Sequence, residues 1–377
     1  MALNVLIAPD KFKGTLSAGA AAAAIARGWR QVRPQDTLVL LPITDGGDGF
    51  GEVVGRSLGG IRQSVRTIDA AHQACRARWW HADSIRTAVI ESAEVIGLAR
   101  LKRDRFHPFE LDTFGLGSVL RTAADRGVKR CLVGIGGSAT NDGGFGLARA
   151  LGWQFLDRSG RSLERWTELD RLHDLRPPPG KLGFKQLLVA VDVQNPLLGP
   201  RGATRVYGPQ KGLRPADFRH AECCLRRLAK VMTDRFGRRF ERQPGSGAAG
   251  GLGFGLLAFA GGKLVPGFDL FARQAGLARR LRGADLVLTG EGALDDSTFM
   301  GKGVGQIARQ CRQLGIRCIG LGGAVALGAA QQRWFARTFA LTQVTSVERT
   351  KMEAARWLAE LAAVAAQSLD ATNLPRD

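Results

Sequence analysis

The feature that most constrains the fold is a series of short, continuous apolar runs, most of them followed by a loop with glycine and then by helix-forming sequence. Runs of this kind are typical of strands buried on both faces of a parallel sheet, as in α/β folds. The first run is Leu3 to Ala8, and an Ala-rich helix is predicted after it, from about Ser17 to Gln31. Further buried strands are predicted at Thr37 to Leu41, Thr87 to Glu91, Arg130 to Gly134, Gln186 to Val191, Asp285 to Leu288, Arg317 to Leu321 and Thr338 to Leu341.

The middle of the chain has a different pattern. Ile61 to Ile68 and Ala74 to Trp80 alternate apolar and polar side chains, which predicts antiparallel strands with one face open to water. We therefore expect a doubly wound parallel sheet built from both chain ends, residues 1–60 and 283–377, with a second α/β domain, residues 61–282, inserted into it. Single amphipathic helices are predicted at Pro215 to Phe236 and Val347 to Leu369.

The charge balance raises the question of a polyanionic partner. The chain has 54 Lys and Arg against 34 Asp and Glu, a net charge of +20. Only 11 of these cations are Lys, and the Arg residues are scattered from Arg27 to Arg376 rather than gathered into blocks. Because the aromatic residues are not interleaved with Arg, no base-stacking platform is indicated. Specific nucleic-acid binding is not expected, although it stays open as a rival function.

Cysteine and histidine indicate neither a disulfide framework nor a zinc site. The six Cys include no CxxC pair, and the five His are dispersed. The N-terminal segment lacks a basic region before its apolar run, and the most apolar stretch, Gly245 to Gly262, is rich in glycine. We expect a cytoplasmic protein without a membrane span, either a monomer or a homodimer.

The familiar nucleotide-binding motifs are absent from the sequence. None of the 11 Lys is followed by Ser or Thr, which excludes a P-loop, and the protein-kinase HRD and DFG strings do not occur. The loop Gly134 to Gly144 follows a strand and offers consecutive backbone N–H groups to an anion, but it lacks the GxGxxG order of dinucleotide-binding folds.

Seven short loops join glycine to a cation, a carboxylate or a hydroxyl group. Phosphoryl transfer needs these groups: Lys and N–H donors for phosphate oxygens, carboxylates for Mg²⁺, and one carboxylate to accept the hydroxyl proton. The loops are Pro9 to Thr15, Asp45 to Gly49, Gly134 to Gly144, Asp192 to Leu197, Gly208 to Gly212, Pro244 to Gly251 and Thr289 to Asp295.

These loops also resemble those of a known family. The strings APDKFKGTLSA, PITDGGDGF, GIGGSATNDGG, DVQNPLLGPRGAT, YGPQKG, PGSGAAGGLGFG and LTGEGALDDSTFMGKG, spread over residues 8 to 303, are similar to those of the two-domain bacterial glycerate kinases. The resemblance implies a flavodoxin-like domain with a second α/β domain inserted into it. It also implies transfer of a phosphoryl group from ATP to (R)-glycerate with Mg²⁺, giving ADP and phosphoglycerate. The resemblance favours 2-phosphoglycerate, and the sequence leaves phosphorylation of the 3-hydroxyl open.

Roles follow for individual residues. Lys13 and Lys211 are predicted to bind phosphate or the glycerate carboxylate, and Asp45 to bind Mg²⁺ or a substrate hydroxyl. Asp192, followed by Asn195, ends a predicted strand at the sheet edge where ligands bind, and is our first choice for proton acceptor or metal ligand. Glu291 and Asp295, which follow a predicted strand in the same way, are the alternative pair for proton acceptor or metal ligand. The remaining predicted substrate- or phosphate-binding residues are Gly136, Gly137, Ser138, Thr140, Asn141, Gly245, Ser246, Gly247 and Lys302.

Two positions depart from the family pattern. Asp48 stands where the DGGEG string usually has Glu, and Ala293 stands where Arg commonly follows GEG. The absence of that guanidinium removes a potential bidentate contact to an anion. A kinase for a related small hydroxy acid is therefore an alternative to a glycerate kinase.

Overall fold

The computed structural model describes residues 1–102, 105–301 and 303–370. Thirteen strands are formed by these residues: β1 (Asn4–Pro9), β2 (Thr37–Leu40), β3 (Ile61–Ile68), β4 (Ala74–Ala82), β5 (Thr87–Glu91), β6 (Arg130–Gly134), β7 (Gln154–Leu156), β8 (Asp174–Arg176), β9 (Gln186–Val191), β10 (Lys263–Pro266), β11 (Leu286–Leu294), β12 (Arg317–Val325) and β13 (Arg337–Ala340).

The same residues form fourteen α-helices: α1 (Ala18–Val32), α2 (Phe50–Ser57), α3 (Ala93–Ile96), α4 (Phe114–Asp125), α5 (Phe145–Ala150), α6 (Ala203–Tyr207), α7 (Phe218–Phe236), α8 (Ala248–Ala260), α9 (Gly267–Gln274), α10 (Leu277–Arg282), α11 (Gly303–Gln313), α12 (Ala329–Gln332), α13 (Val347–Met352) and α14 (Ala354–Asp370). None of these helices is both long and apolar enough to cross a membrane.

The chain divides into two compact units. The first comprises residues 1–45 and 268–377, and the second residues 46–267. These boundaries precede the expected ones, 60/61 and 282/283, because α2 packs within the second unit and α9 within the first. In α2, Phe50 lies against Gly134 of β6, and in α9, Phe268 lies against Gly303 of α11.

The first unit contains a five-stranded, entirely parallel sheet in the order β2-β1-β11-β12-β13. Counted without the inserted second unit, this is the 2-1-3-4-5 order of flavodoxin-like folds, which confirms the predicted doubly wound sheet. Its core includes Val5 and Ile7 of β1 together with the apolar faces of α1 and α14. The two helices approach closely at Gly28, where a Cβ would lie 1.8 Å from the carbonyl oxygen of Ala359.

The second unit contains a six-stranded mixed sheet in the order β10-β9-β6-β5-β4-β3. Strands β5, β6, β9 and β10 run parallel, whereas β3 and β4 are antiparallel, as their alternating sequence predicts. A separate two-stranded sheet pairs β7 with β8.

Two predicted helices differ in detail from the observed ones. The stretch predicted at Pro215 to Phe236 begins with a 3₁₀ turn, Pro215–Asp217, before α7. The helix predicted at Val347 to Leu369 is broken at Glu353 into α13 and α14. Amphipathic periodicity runs through both stretches and therefore does not reveal the break.

Candidate functional site

Three carboxylates of the first unit lie at the carboxyl ends of neighbouring strands. Asp10 follows β1, Asp45 comes after β2, and Glu291 lies in β11 just beyond its pairing with β1. Asp10 and Glu291 are each only 8% exposed. Burial, together with the negative charge of Asp45, raises the pKa of Asp10 to about 7. A carboxyl group with this pKa can take up and release a proton near neutral pH, as a general base must.

The loops around these carboxylates hold several of the predicted residues. Lys13 is exposed, and its backbone passes close to Gly292. A Cβ added to Gly292 would lie 3.3 Å from the backbone nitrogen of Lys13. Asp295 begins a 3₁₀ turn, where its carboxylate accepts hydrogen bonds from the backbone nitrogen and the hydroxyl of Ser297. The Oε1 atom of Glu291 accepts a hydrogen bond from Thr298 Oγ1 at 2.8 Å. Glu291 and Asp295 therefore help to hold this turn, and their metal binding stays a prediction. Lys302 lies outside the described residues.

Glu91 organises the first glycine loop of the second unit. It is the last residue of β5 and is buried, and its two oxygens accept hydrogen bonds from the backbone nitrogens of Gly49 at 3.0 Å and Gly51 at 2.9 Å. Burial raises the pKa of Glu91. These two bonds fix the loop that carries Asp48 at the start of α2.

The loop Gly134 to Gly144 lies directly beside this first loop. Gly136 donates a backbone hydrogen bond to the carbonyl oxygen of Gly46, and a Cβ on Gly136 would lie 2.6 Å from the Cα of Gly47. Gly137 has a φ of +74°, and a Cβ there would lie 2.3 Å from Asp48 Oδ1. The structure thus brings together two glycine loops that the sequence could only identify separately.

Buried polar side chains follow in the same loop. Ser138 and Thr140 share a hydrogen bond of 3.0 Å between their hydroxyl oxygens. Asn141 is fully buried and donates to Thr204 Oγ1 at 3.1 Å, while its Oδ1 has no hydrogen-bond partner among the described residues. A buried amide oxygen without a partner is costly, so Asn141 is suited to accept a hydrogen bond from a bound ligand.

The loop is anchored by Asp142. Its buried carboxylate accepts hydrogen bonds from the backbone nitrogen and hydroxyl of Thr113 and from the backbone nitrogen of Gly146. Burial raises the pKa of Asp142 to about 6. The short helix α5 begins at Phe145, directly after this loop.

Lys211 is a buried lysine of the second unit. Its side chain is 6% exposed, and Nζ donates a hydrogen bond of 2.6 Å to the carbonyl oxygen of Thr140. A Cβ at position 250 would lie only 2.8 Å from this Nζ, so a residue with a side chain would crowd the ammonium and glycine does not. Burial lowers the pKa of Lys211 to about 7, while the charge of Asp142 acts in the opposite direction. An anion bound beside Nζ would restore the charged form.

A third glycine segment adjoins Lys211. The consecutive residues Ala249, Gly250 and Gly251 all have left-handed φ values, between +55° and +86°. The Gly250 carbonyl oxygen accepts from the backbone nitrogen of Gly143, which joins this segment to the loop Gly134 to Gly144. Successive backbone groups in such conformations form concave surfaces that suit anions.

The other predicted residues of this region are either engaged within the protein or exposed. Asn195 has both side-chain groups engaged, since Nδ2 donates to Arg201 O at 2.8 Å and Oδ1 accepts from the Tyr207 hydroxyl at 2.7 Å. Ser246 is fully buried and donates to the carbonyl oxygen of Glu241, while Gly247 and Gly245 lie against the backbone of residues 193 to 196. Asp192, by contrast, is exposed at the end of β9. Its position suits contact with a ligand.

The predicted magnesium ligands are divided between the two units. Within residues 1–102, 105–301 and 303–370, no three His, Cys, Asp or Glu side chains are grouped so that they could hold a metal ion. Asp192 belongs to the second unit, and Glu291 and Asp295 to the first. Mg²⁺ is commonly held by one or two carboxylates together with phosphate oxygens and water, so this arrangement still fits the cation.

Sequence reasoning did not select Asp10 or Glu91 as site residues. Both have the signal that identified Asp192, a carboxylate at the end of a predicted buried strand or within two residues after it. Applying that rule to every predicted strand would have found them.

Gly137→Val is expected to raise the KM for the phosphoryl donor at least about tenfold. The branched side chain would occupy the space between Gly137 and Asp48 and block approach of an anion to the loop. The left-handed φ adds a strain of about 1–3 kcal/mol. Steady-state kinetics and thermal unfolding measure the two effects.

Gly160→Val is the matched control for this strain. Gly160 has a φ of +81°, and a Cβ there meets nothing within 4 Å. This control should lose similar stability with an unchanged KM. An equal rise of KM in both variants would show that the effect of Gly137→Val is only backbone strain.

Comparison with known proteins gives the family. The model of the glycerate kinase family matches residues 5–370. A glycerate kinase of Halalkalibacterium halodurans is 37% identical, with 86% of each chain covered. A glycerate 2-kinase of Escherichia coli is 33% identical, with 82% of each chain covered. The crystal structure of a protein named glycerate kinase 2 from Salmonella typhimurium LT2 superposes with a TM-score of 0.84 at 31% identity, covering 98% of this chain and 99% of the other.

These matches run through both units and through all seven loops. They confirm the resemblance that the loop sequences indicated. The chain belongs to the glycerate kinase family, a family of phosphotransferases.

Proposed function

We propose that this protein uses ATP and Mg²⁺ to phosphorylate the 2-hydroxyl group of (R)-glycerate, giving 2-phosphoglycerate and ADP. The observation that carries the proposal is the buried Lys211, whose ammonium contacts a glycine loop and is hydrogen-bonded to a neutral carbonyl oxygen. A buried ammonium is costly unless an anion compensates it. The name of the Escherichia coli relative supports the 2-position.

In this proposal Lys211 and the backbone N–H group of Gly137 hold phosphate oxygens, while the N–H group of Gly136 donates to Gly46. Such donors stabilise the negative charge on the transferred group without reorganising during the reaction. Lys13, exposed after β1, would bind the glycerate carboxylate or a phosphate. Mg²⁺, when bound by Asp192 or by Glu291 and Asp295, would neutralise charge on the phosphate oxygens.

Two carboxylates are candidates for the acceptor of the hydroxyl proton. Asp192 is exposed at the end of β9, where substrate can reach it. Asp10 is buried and has a pKa of about 7, which is favourable for a base near neutral pH. Asp45, beside Asp10, would then orient the substrate hydroxyl or bind the cation.

Asp192→Asn is expected to lower kcat at least about a hundredfold, because the amide cannot accept the proton. Since the side chain is exposed and the change nearly isosteric, the melting temperature should not change. Turnover close to that of the wild type would move the base to Asp10, Glu291 or Asp295.

An ADP-release assay with Mg²⁺, ATP and a panel of small hydroxy acids tests the function itself. We expect the highest kcat/KM with (R)-glycerate, and ³¹P NMR of the product should show the ester at the 2-position. Ala293 is exposed and supplies no guanidinium to a substrate carboxylate. Preference for another hydroxy acid would therefore favour the related-kinase alternative, and no ADP release with any acid would overturn the proposal.

A further inference from the structure

A cavity of about 360 Å³ lies in the second unit, on the open face of the β3–β4 hairpin. None of the seven glycine loops contributes to its walls. They are lined by Arg62, Gln63, Ser64, Arg76, Arg78, Glu94 and Arg100. This volume is in the range of small-molecule sites.

The strand register places the basic side chains on one face. Ser64 pairs with Arg78 and Arg66 with Arg76, and these four residues are exposed. Successive side chains of a strand alternate between faces, so the other face of the hairpin buries Ala77 and Trp79 in the core. The open face therefore gathers arginines from two adjacent strands.

The charge of this cavity is unbalanced. Four guanidinium groups face a single carboxylate, Glu94, whereas the whole chain has 54 cations to 34 acidic residues. Both oxygens of Glu94 are already taken by Arg78, with hydrogen bonds of 2.9 and 2.7 Å. Arg62, Arg76 and Arg100 form no ion pair within the described part of the chain. Clustered guanidinium groups without a counter-charge repel one another, and a multivalent anion would relieve that repulsion.

We propose that this cavity is a binding site for a small polyanion carrying two or more phosphate or carboxylate groups, separate from the phosphoryl-transfer site. The planar, bidentate geometry of guanidinium groups suits such groups. The volume of about 360 Å³ and the absence of an aromatic residue from the walls favour a small molecule over a nucleic-acid strand.

The segment that follows β5 connects this cavity to the glycine loops. Glu94 lies in the short helix α3, which begins directly after Glu91 and Ser92, and Glu91 holds the backbone of Gly49 and Gly51. After α3, Leu98 donates a backbone hydrogen bond to Gly137 O, and Ala139 donates one to Ile96 O. An anion that competes with Glu94 for Arg78 would loosen the contact of α3 with β4. The segment that begins with α3 also holds Gly137 through the backbone hydrogen bond from Leu98. Occupation of the cavity should therefore change the kinetics of the enzyme.

The test is calorimetric titration of the full chain with pyrophosphate, without Mg²⁺, at about 0.15 M salt, where weak surface attraction is screened. The wild type should bind with a Kd below about 100 μM at a site that the double variant Arg62→Ala/Arg76→Ala loses. Arg66→Ala is the matched control, because Arg66 lies on the same open face but outside the cavity. It should keep the site.

Lys211→Met separates this proposal from the proposed function. That variant should keep the pyrophosphate site whether or not the enzyme phosphorylates glycerate. The double variant should keep its basal activity within about twofold and lose the kinetic response to pyrophosphate. Unchanged binding in the double variant, an equal loss in Arg66→Ala, or displacement of pyrophosphate by micromolar single-stranded DNA would each overturn the proposal.

Discussion

Replacing Lys211 with Met is expected to lower kcat/KM about a thousandfold. The side chains are similar in length, but Met supplies neither the charge nor the N–H donors that hold phosphate oxygens. Lys211→Arg should not restore activity, because Nζ is buried 2.6 Å from the carbonyl oxygen of Thr140, a site that does not suit the larger guanidinium. Steady-state kinetics with glycerate and ATP measure both variants.

The fold should survive this replacement. The native Lys211 has a pKa of about 7, whereas an unfolded Lys titrates near 10.5. Between pH 7 and pH 10.5 Lys211 is protonated in the unfolded chain but mostly neutral in the folded one, so its contribution to stability rises with pH in this range. Below pH 7 the folded chain must bury the charged form, which costs stability. Lys211→Met avoids that cost and should melt no lower than the wild type at pH 6. Loss of activity in a folded variant then reports on the site.

Proton uptake gives a second test of anion binding beside Lys211. At pH 8 an anion that binds beside Lys211 should raise the pKa of its ammonium, so that binding takes up protons from the buffer. Titrations of ATP in buffers of different ionisation enthalpy should detect this uptake in the wild type and in the control Lys230→Met, whose lysine is exposed and pairs with Asp234. Equal uptake in Lys211→Met would contradict the assignment.

Asp10→Asn is expected to raise the free energy of unfolding at pH 8 by about 3–4 kcal/mol. If Asp10 is the base, the variant should also be about a hundredfold less active. The native carboxyl has a pKa of about 7, because it is buried and faces Asp45. The unfolded carboxyl has a pKa of about 4. The folded state therefore binds the extra proton, and the stability contribution of Asp10, complete at low pH, is lost as the pH rises towards and through 7.

The amide has no proton to lose, so the advantage of the variant should disappear at pH 4, where the native carboxyl is neutral. Denaturant unfolding at both pH values measures this difference. Asp285→Asn is the control in the same unit, since the side chain of Asp285 is exposed. A variant that is no more stable than the wild type at pH 8 would show that Asp10 is not held in a costly ionised state.

Much of the scaffold could be predicted from the sequence. The strands β5, β6 and β9 have the same bounds as predicted, because a strand buried on both faces is a continuous apolar run that a turn or loop ends. The antiparallel pair β3 and β4 was indicated by strict alternation. The glycine loops were identifiable because their residue types are unusual. Their sequences resemble those of the glycerate kinases, and the resemblance identified the family.

The chemistry of individual side chains was decided by the tertiary structure. Lys13 and Lys211 lie in similar glycine-flanked loops in the sequence, yet Lys13 is exposed and Lys211 is buried against Thr140, 71 residues away. Asp10 acquires its raised pKa from burial and from Asp45, which sequence periodicity cannot bring together. Asn195, whose substrate binding stays a prediction, is hydrogen-bonded to Arg201 and Tyr207, and its spacing in the sequence does not reveal these partners. Residue type and spacing follow from local sequence, whereas desolvation and partner choice depend on which distant segments pack around a group, and only the folded chain determines that.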